Sequence, residues 1–196
     1  MADNRNPLSV QAPPGSVIWN KMADLLEVAP GLNLRPMSLP FRATTLAANV
    51  TFPDVGLRVD PNFHFYWTQT SAYMQALAGV DVCAHATIQV QGGAGIPVFA
   101  PRPMPFTAFG TSYRDSTGVF TVWTPNTLCL MPHAMEWAFA AGEDITVTWV
   151  CDGTFPAGPA ISDFVMHGIG ISSRLSITQM KQVIELATLK QALGRP

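Results

Sequence analysis

Charge is scarce in this chain. Asp, Glu, Lys and Arg make up 12% of its 196 residues, against about 25% in an ordinary soluble domain. Much of the surface must therefore be uncharged. Either other subunits cover it, which the limited apolar patches of soluble monomers favour, or neutral polar residues keep a monomer in solution. The net charge is −2 and no run of Lys or Arg occurs. Gripping a phosphate backbone needs clustered cations, so direct nucleic-acid binding is not expected.

Long apolar runs are also missing. No stretch approaches the 18 or so apolar residues of a membrane span, and Met1–Pro7 lack the apolar centre of an export signal. Cysteine is sparse: Cys83, Cys129 and Cys151 form an odd set, read as free thiols in a reducing compartment.

Catalytic motifs are absent as well. There is no Gly-x-Ser-x-Gly elbow. The glycine-rich Gln91–Pro97 has neither a Gly-Lys-Ser/Thr ending nor GxGxxG spacing, so it does not cradle phosphate. A sulfur and nitrogen set (Cys83 and His85, Cys129 and His133, Cys151, His167) has no zinc-finger or ribbon spacing and lies on separate elements. Glu136 with Glu143 or Asp144 is the nearest pair of carboxylates for glycosidase chemistry, but Glu143-Asp144 follows Gly142 in what reads as a solvated turn. No catalytic residue, cofactor or metal is therefore expected.

What is present is β patterning. Ile145, Val147, Trp149 and Cys151 alternate with Thr146, Thr148 and Val150, which predicts a half-buried strand. Val80–Val90 alternates likewise. Phe63–Thr68 is aromatic on both faces, as a strand buried on both sides would be. Tyr113–Thr124 reads as a hairpin around Asp115-Ser116-Thr117-Gly118. Phe41–Phe52 and Gly56–Asp60 suggest two strands around a Pro53–Gly56 turn, and Phe164–Ser172 a last strand weakened by Gly168 and Gly170.

The alternate prolines of Pro97–Phe106 predict a stiff loop. Helical readings fall on Val17–Val28, Ser71–Leu77, His133–Ala141 and a terminal helix from Ser176 to about Leu193. Ser176 and Gln179 there form a capping box, and Ile177, Met180, Val183, Ile184, Ala187 and Leu189 form an apolar stripe.

Many short strands with helices at the two ends predict a mainly β fold, an antiparallel β-sandwich of jelly-roll type or a related barrel. Residues 1–41 form an extended arm, short helix and linker, 42–175 the β domain, and 176–196 the C-terminal helix. Residues 1–15 and 31–41 are proline-bearing and lack periodicity. With an arm, a low-charge β body and no catalytic motif, the chain resembles, in type, a virion structural protein.

That resemblance implies a non-enzymatic subunit made in a host cytoplasm and assembled by symmetry with copies of itself or other shell proteins. The arm is poor in cations, with Arg5 and Lys21 against Asp3, Asp24 and Glu27 in the first thirty residues. A capsid-decorating, cement, minor coat or tail component, of the bacteriophage kind among others, fits better than a coat that packs a genome. The subunit contacts would then come from Pro13 and Pro14 of the arm, Leu32, Leu34, Met37 and Leu39 of the linker, and Ile177, Met180 and Ile184 of the terminal helix. The alternative is a sandwich that binds carbohydrate or peptide through Trp67 or Trp123, and an enzyme around Asp81, His85 and His133 comes third.

Overall fold

The computed structural model describes residues 17–49, 51–76, 85–93, 95, 97–98, 103–109, 129–130, 137–153 and 160–193. In chain order these form α1 (Val17–Val28), β1 (Leu34–Leu46), β2 (Thr51–Arg58), β3 (Phe63–Ala76), β4 (Ala86–Gln91), β5 (Met104–Pro105), β6 (Cys129–Leu130), β7 (Trp137–Phe139), β8 (Asp144–Cys151), β9 (Ala160–Ser172) and α2 (Ile177–Ala192). The strands make two antiparallel sheets. The first runs β1-β9-β3-β6, with β7 also on β3, and the second runs β2-β8-β4-β5. The architecture is mainly β and sandwich-like, and among the described residues no strand closes the two sheets into a barrel.

Alternation explains which side chains meet between the sheets. The first sheet contributes Leu39, Phe41, Phe65, Trp67, Phe164 and Met166, and the second Ile88, Val90, Ile145, Val147 and Trp149, to one buried cluster. The ring of Trp67 meets Phe164 edge-on at 6.1 Å. Trp149 donates its indole N–H to Ser162 Oγ at 2.9 Å, a buried polar link from β8 to β9. The alternating pattern of β8 is as expected, with Ile145, Val147, Trp149 and Cys151 all buried.

A second cluster lies on the other face of the first sheet. There Leu34, Tyr66, Ile169 and Ile171 pack against Met22 and Leu25 of α1 and Met180 and Ala187 of α2. A helix of 12 residues is marginal alone, so α1 is held by this docking. Full burial of Met22 and of Leu25 contributes about 1.5–3 kcal/mol each. The molecule thus has three layers, and β3 is buried on both faces because Phe65 and Trp67 point to one core and Tyr66 to the other.

Several sequence expectations are corrected. Leu34–Phe41, read as linker, is the first half of β1. Pro36 and Pro40 share one parity on a strand that, among the described residues, pairs with β9 alone, so their missing donors face the other edge. Pro53 and Asp54 lie within β2, at a register shift between Phe52 and Val55; the turn comes earlier, at Asn49 with φ 58°. Ser71–Ala76, read as helix, continues β3, because pairing along β9 overrides a modest local helix preference.

Trp137–Phe139, also read as helix, is β7, and Gly142 (φ 74°) turns the chain into β8 instead of closing a helix. Phe164–Ser172 is the second half of the central strand β9. Its Gly168 is demanded by contact: a Cβ there would collide with the Tyr66 carbonyl of β3. Met104-Pro105, within the expected loop, adds two residues to the edge of β4. The arm at 1–15, the hairpin at 113–124, Val80–Ala84 and His133–Glu136 lie outside the described residues.

Candidate interaction surface

The helix α2 begins with a satisfied cap. Ser176 Oγ accepts from Gln179 N–H at 3.2 Å, and Gln179 Oε1 accepts from Ser176 N–H at 2.9 Å. Met180 and Ala187 are buried, and Ile177, Val183 and Ile184 pack partly buried beside them. Two polar contacts tie the helix to α1: Gln191 donates to Asp24, and Lys190 lies 3.1 Å from Glu27.

The opposite side of α2 is also apolar. Leu186, Leu189 and Leu193 are 54%, 57% and 85% exposed. With Gln182 they are spaced 4, 3 and 4 residues apart, which at 3.6 residues per turn is a single line opposite Met180 and Ala187. An amphipathic surface helix carries one apolar face. This one carries two, and only one is docked.

Beside that line runs an open groove of about 570 Å³ between α2 and the sheet edge, floored by Tyr66, Trp137 and Ile184 and rimmed by Lys181, Glu185 and Leu189. Lys181 Nζ sits 6.0 Å from the centre of the Trp137 ring, and Lys21 Nζ sits 5.7 Å from that of Tyr66. The groove can take an apolar or flat ligand group with a polar one at its rim.

The residues expected at subunit contacts are placed differently. Leu34 and Met180 are fully buried and Leu39 nearly so, within the chain's own cores. Leu32, Ile177 and Ile184 pack partly buried on the helix-covered cluster, and Met37 on the main one. Pro13 and Pro14 lie outside the described residues. Leu189, placed on the packed stripe by sequence, is on the exposed line, and Leu186 and Leu193 were overlooked. Their heptad-like spacing was the signal.

Trp67 is no ligand platform: its ring is fully buried and its N–H donates to Gln69 O at 2.8 Å. Trp123 lies outside the described residues. Trp137, half-buried in the groove, is a tryptophan that a ligand can reach.

The histidines are separated. His85 Nδ1 lies 3.3 Å from Asp152 Oδ2 at the end of the second sheet; Asp81 and His133 fall outside the described residues. His64 accepts from Ala141 N–H at its Nδ1 (2.9 Å), so its Nε2–H donates to the Leu175 carbonyl at 2.7 Å. That pins the turn after β7 to the entry of α2. Cys151 is buried in the core, and its thiol is pushed up to about 11 by burial and by the neighbouring Asp152 charge. It is unreactive by that criterion.

His167 bridges three strands of the first sheet, with Ser38 Oγ 2.9 Å from Nδ1 and Ser71 Oγ 2.8 Å from Nε2. Burial lowers its pKa, so the imidazole is neutral at pH 7 and one nitrogen accepts while the other donates. Serine beside a neutral imidazole is the first requirement of nucleophilic catalysis. Here β9 pairs on both sides, and its amides are committed to the ladders instead of to a developing oxyanion. The cluster works as a cross-strand polar bridge.

Among the described residues, no group of three or more His, Cys, Asp or Glu gathers as a metal site, and no helix is long and apolar enough to cross a membrane. No family model, curated protein or solved structure matches the chain.

Proposed function

We propose that the chain is a non-enzymatic structural subunit that acts through subunit–subunit contacts, of the virion type: a capsid-decorating, cement, minor coat or tail component. The observation that carries the reading is the undocked leucine line of α2, on a chain with only 12% charged residues. A free polypeptide gains nothing from three exposed leucines on one line, whereas a contact between copies buries them. The β1 edge supports the same reading. Its prolines blunt strand-to-strand addition, so contacts are directed to other surfaces.

The partners are copies of the chain or other shell proteins, with no direct nucleic-acid role, and assembly takes place in a host cytoplasm. The test is mass in solution across a concentration series, by light scattering behind a sizing column. A discrete oligomer or larger assembly is the expected result, and a strict monomer at every concentration refutes it.

The groove favours a second reading, a sandwich module for carbohydrate or peptide, because the ring of Trp137 lines it beside Tyr66. Titration with a panel of glycans and peptides should then change tryptophan fluorescence in the parent chain and not in Trp137→Ala. No change with any ligand sinks this reading.

A further inference from the structure

We propose that the exposed line of α2 pairs with α2 of a second copy, parallel and in register, so that Leu186, Leu189 and Leu193 each meet their own counterpart. The inference rests on the assembly reading above and names its surface and partner.

The 4-3-4 spacing from Gln182 to Leu193 is that of a two-stranded seam. Charge chooses the occupant and the direction. Glu185 precedes Leu186 and Lys190 follows Leu189, so they flank the line on opposite sides. In a parallel pair, residues in these two positions face each other across the seam, five residues apart. Glu185 of each copy then meets Lys190 of the other, giving two opposite-charge contacts related by the twofold axis. In an antiparallel pair that stacks Leu189 on Leu189, Lys190 meets Lys190 and Glu185 meets Ala192, so no opposite-charge contact forms. The surface is therefore self-complementary in one orientation only. Lys190 also lies 3.1 Å from Glu27 of α1, a contact that it would share with Glu185 of the second copy.

The seam is short. Three leucines per copy fall below the roughly 1,000 Å² that a stable interface buries. Pairing through α2 is thus weak alone and becomes firm where other contacts between copies raise the effective concentration.

Two variants of the full chain test this. All three leucines are more than half exposed, so replacing them leaves both cores intact, which far-UV circular dichroism checks. Leu186→Lys with Leu189→Lys should weaken self-association about tenfold or more in light scattering. Under mild oxidation, Leu189→Cys should give a covalent dimer beyond any from the native cysteines, for which the parent chain is the control. Unchanged association in the double-lysine variant together with no added dimer from Leu189→Cys overturns the surface while leaving assembly through another contact standing. A Leu186→Cys chain that crosslinks with a Leu193→Cys chain and not with itself overturns the parallel register. A parent chain that is monomeric throughout removes both this inference and the reading beneath it.

Discussion

Replacing Gly168 by alanine should cost this fold more than any other single added methyl at the glycines of β9. Gly168 lies opposite Trp67 in the ladder between β9 and β3, just before the register shift at Trp67 and Gln69. An added Cβ would stand inside the van der Waals shell of the Tyr66 carbonyl oxygen, 2.8 Å from the Tyr66 carbonyl carbon and 3.0 Å from Phe65 Cε2. The first two atoms are backbone, so no rotamer change relieves the clash and the strands must part. Overpacking typically costs about 1–3 kcal/mol, and a collision with paired main chain belongs at about 3 kcal/mol or beyond.

Gly170, two residues on, supplies the control. Its Cβ would meet Met37 Sδ at 2.8 Å and Arg35 Cγ at 3.1 Å, both on long side chains that can swing away. About 1 kcal/mol or less is expected there, offset in part by the lower entropy of an unfolded alanine. The assay is urea unfolding of Gly168→Ala and Gly170→Ala against the parent, followed by circular dichroism. At about 2–4 °C per kcal/mol for a chain of this size, the first variant should also melt roughly 6–12 °C lower. Equal costs for the two, or a reversed order, would refute the close-approach argument.

Four further outcomes can be checked. The lowered pKa of His167 means that the unfolded chain takes up its proton first, so its contribution to stability is full above the ordinary value of 6.5 and is lost as pH falls through and below it; urea midpoints should decline on acidification, less so in His167→Gln. With its thiol pushed up to about 11, Cys151 should resist alkylation at mildly alkaline pH until the chain is unfolded, as peptide mapping would show. Ser176→Ala, which removes half of the capping box, should cost about 1 kcal/mol in thermal or urea melts. Removing residues 1–15 should lower assembled mass in light scattering while leaving the melting temperature unchanged, and undiminished assembly would argue against a role for the arm.

Sequence reading succeeded where one periodicity dominated. In Ile145–Cys151 every second residue is buried, and the capping box of Ser176 and Gln179 forms as written. It missed segments in which tertiary pairing outvoted local composition. Ser71–Ala76 contains helix-compatible residues, yet β9 offers it a full ladder. Pro36 and Pro40 look like a linker until their shared parity is set against a one-sided strand. Glycine at 168 and 170 looks like weakness in a strand, but the first makes the close approach of β3 possible. Of the expected contact residues, Leu34, Leu39 and Met180 lie in the chain's own cores, because hydrophobicity alone does not say which core claims a side chain.

That last point bears on the scarcity of charge. A sandwich with one solvated outer face needs polar residues on every second position of each strand. Here helices cover part of the outer face of the first sheet, so Tyr66, Ile169 and Ile171 are apolar where a two-layer protein would carry charge. Part of the apolar excess is therefore consumed inside the chain by the third layer and calls for no partner. Among the described residues, the large apolar side chains that the third layer leaves exposed are Leu186, Leu189 and Leu193, on the side of α2 away from Met180 and Ala187. The case for assembly stands on those three residues more than on the composition that first suggested it.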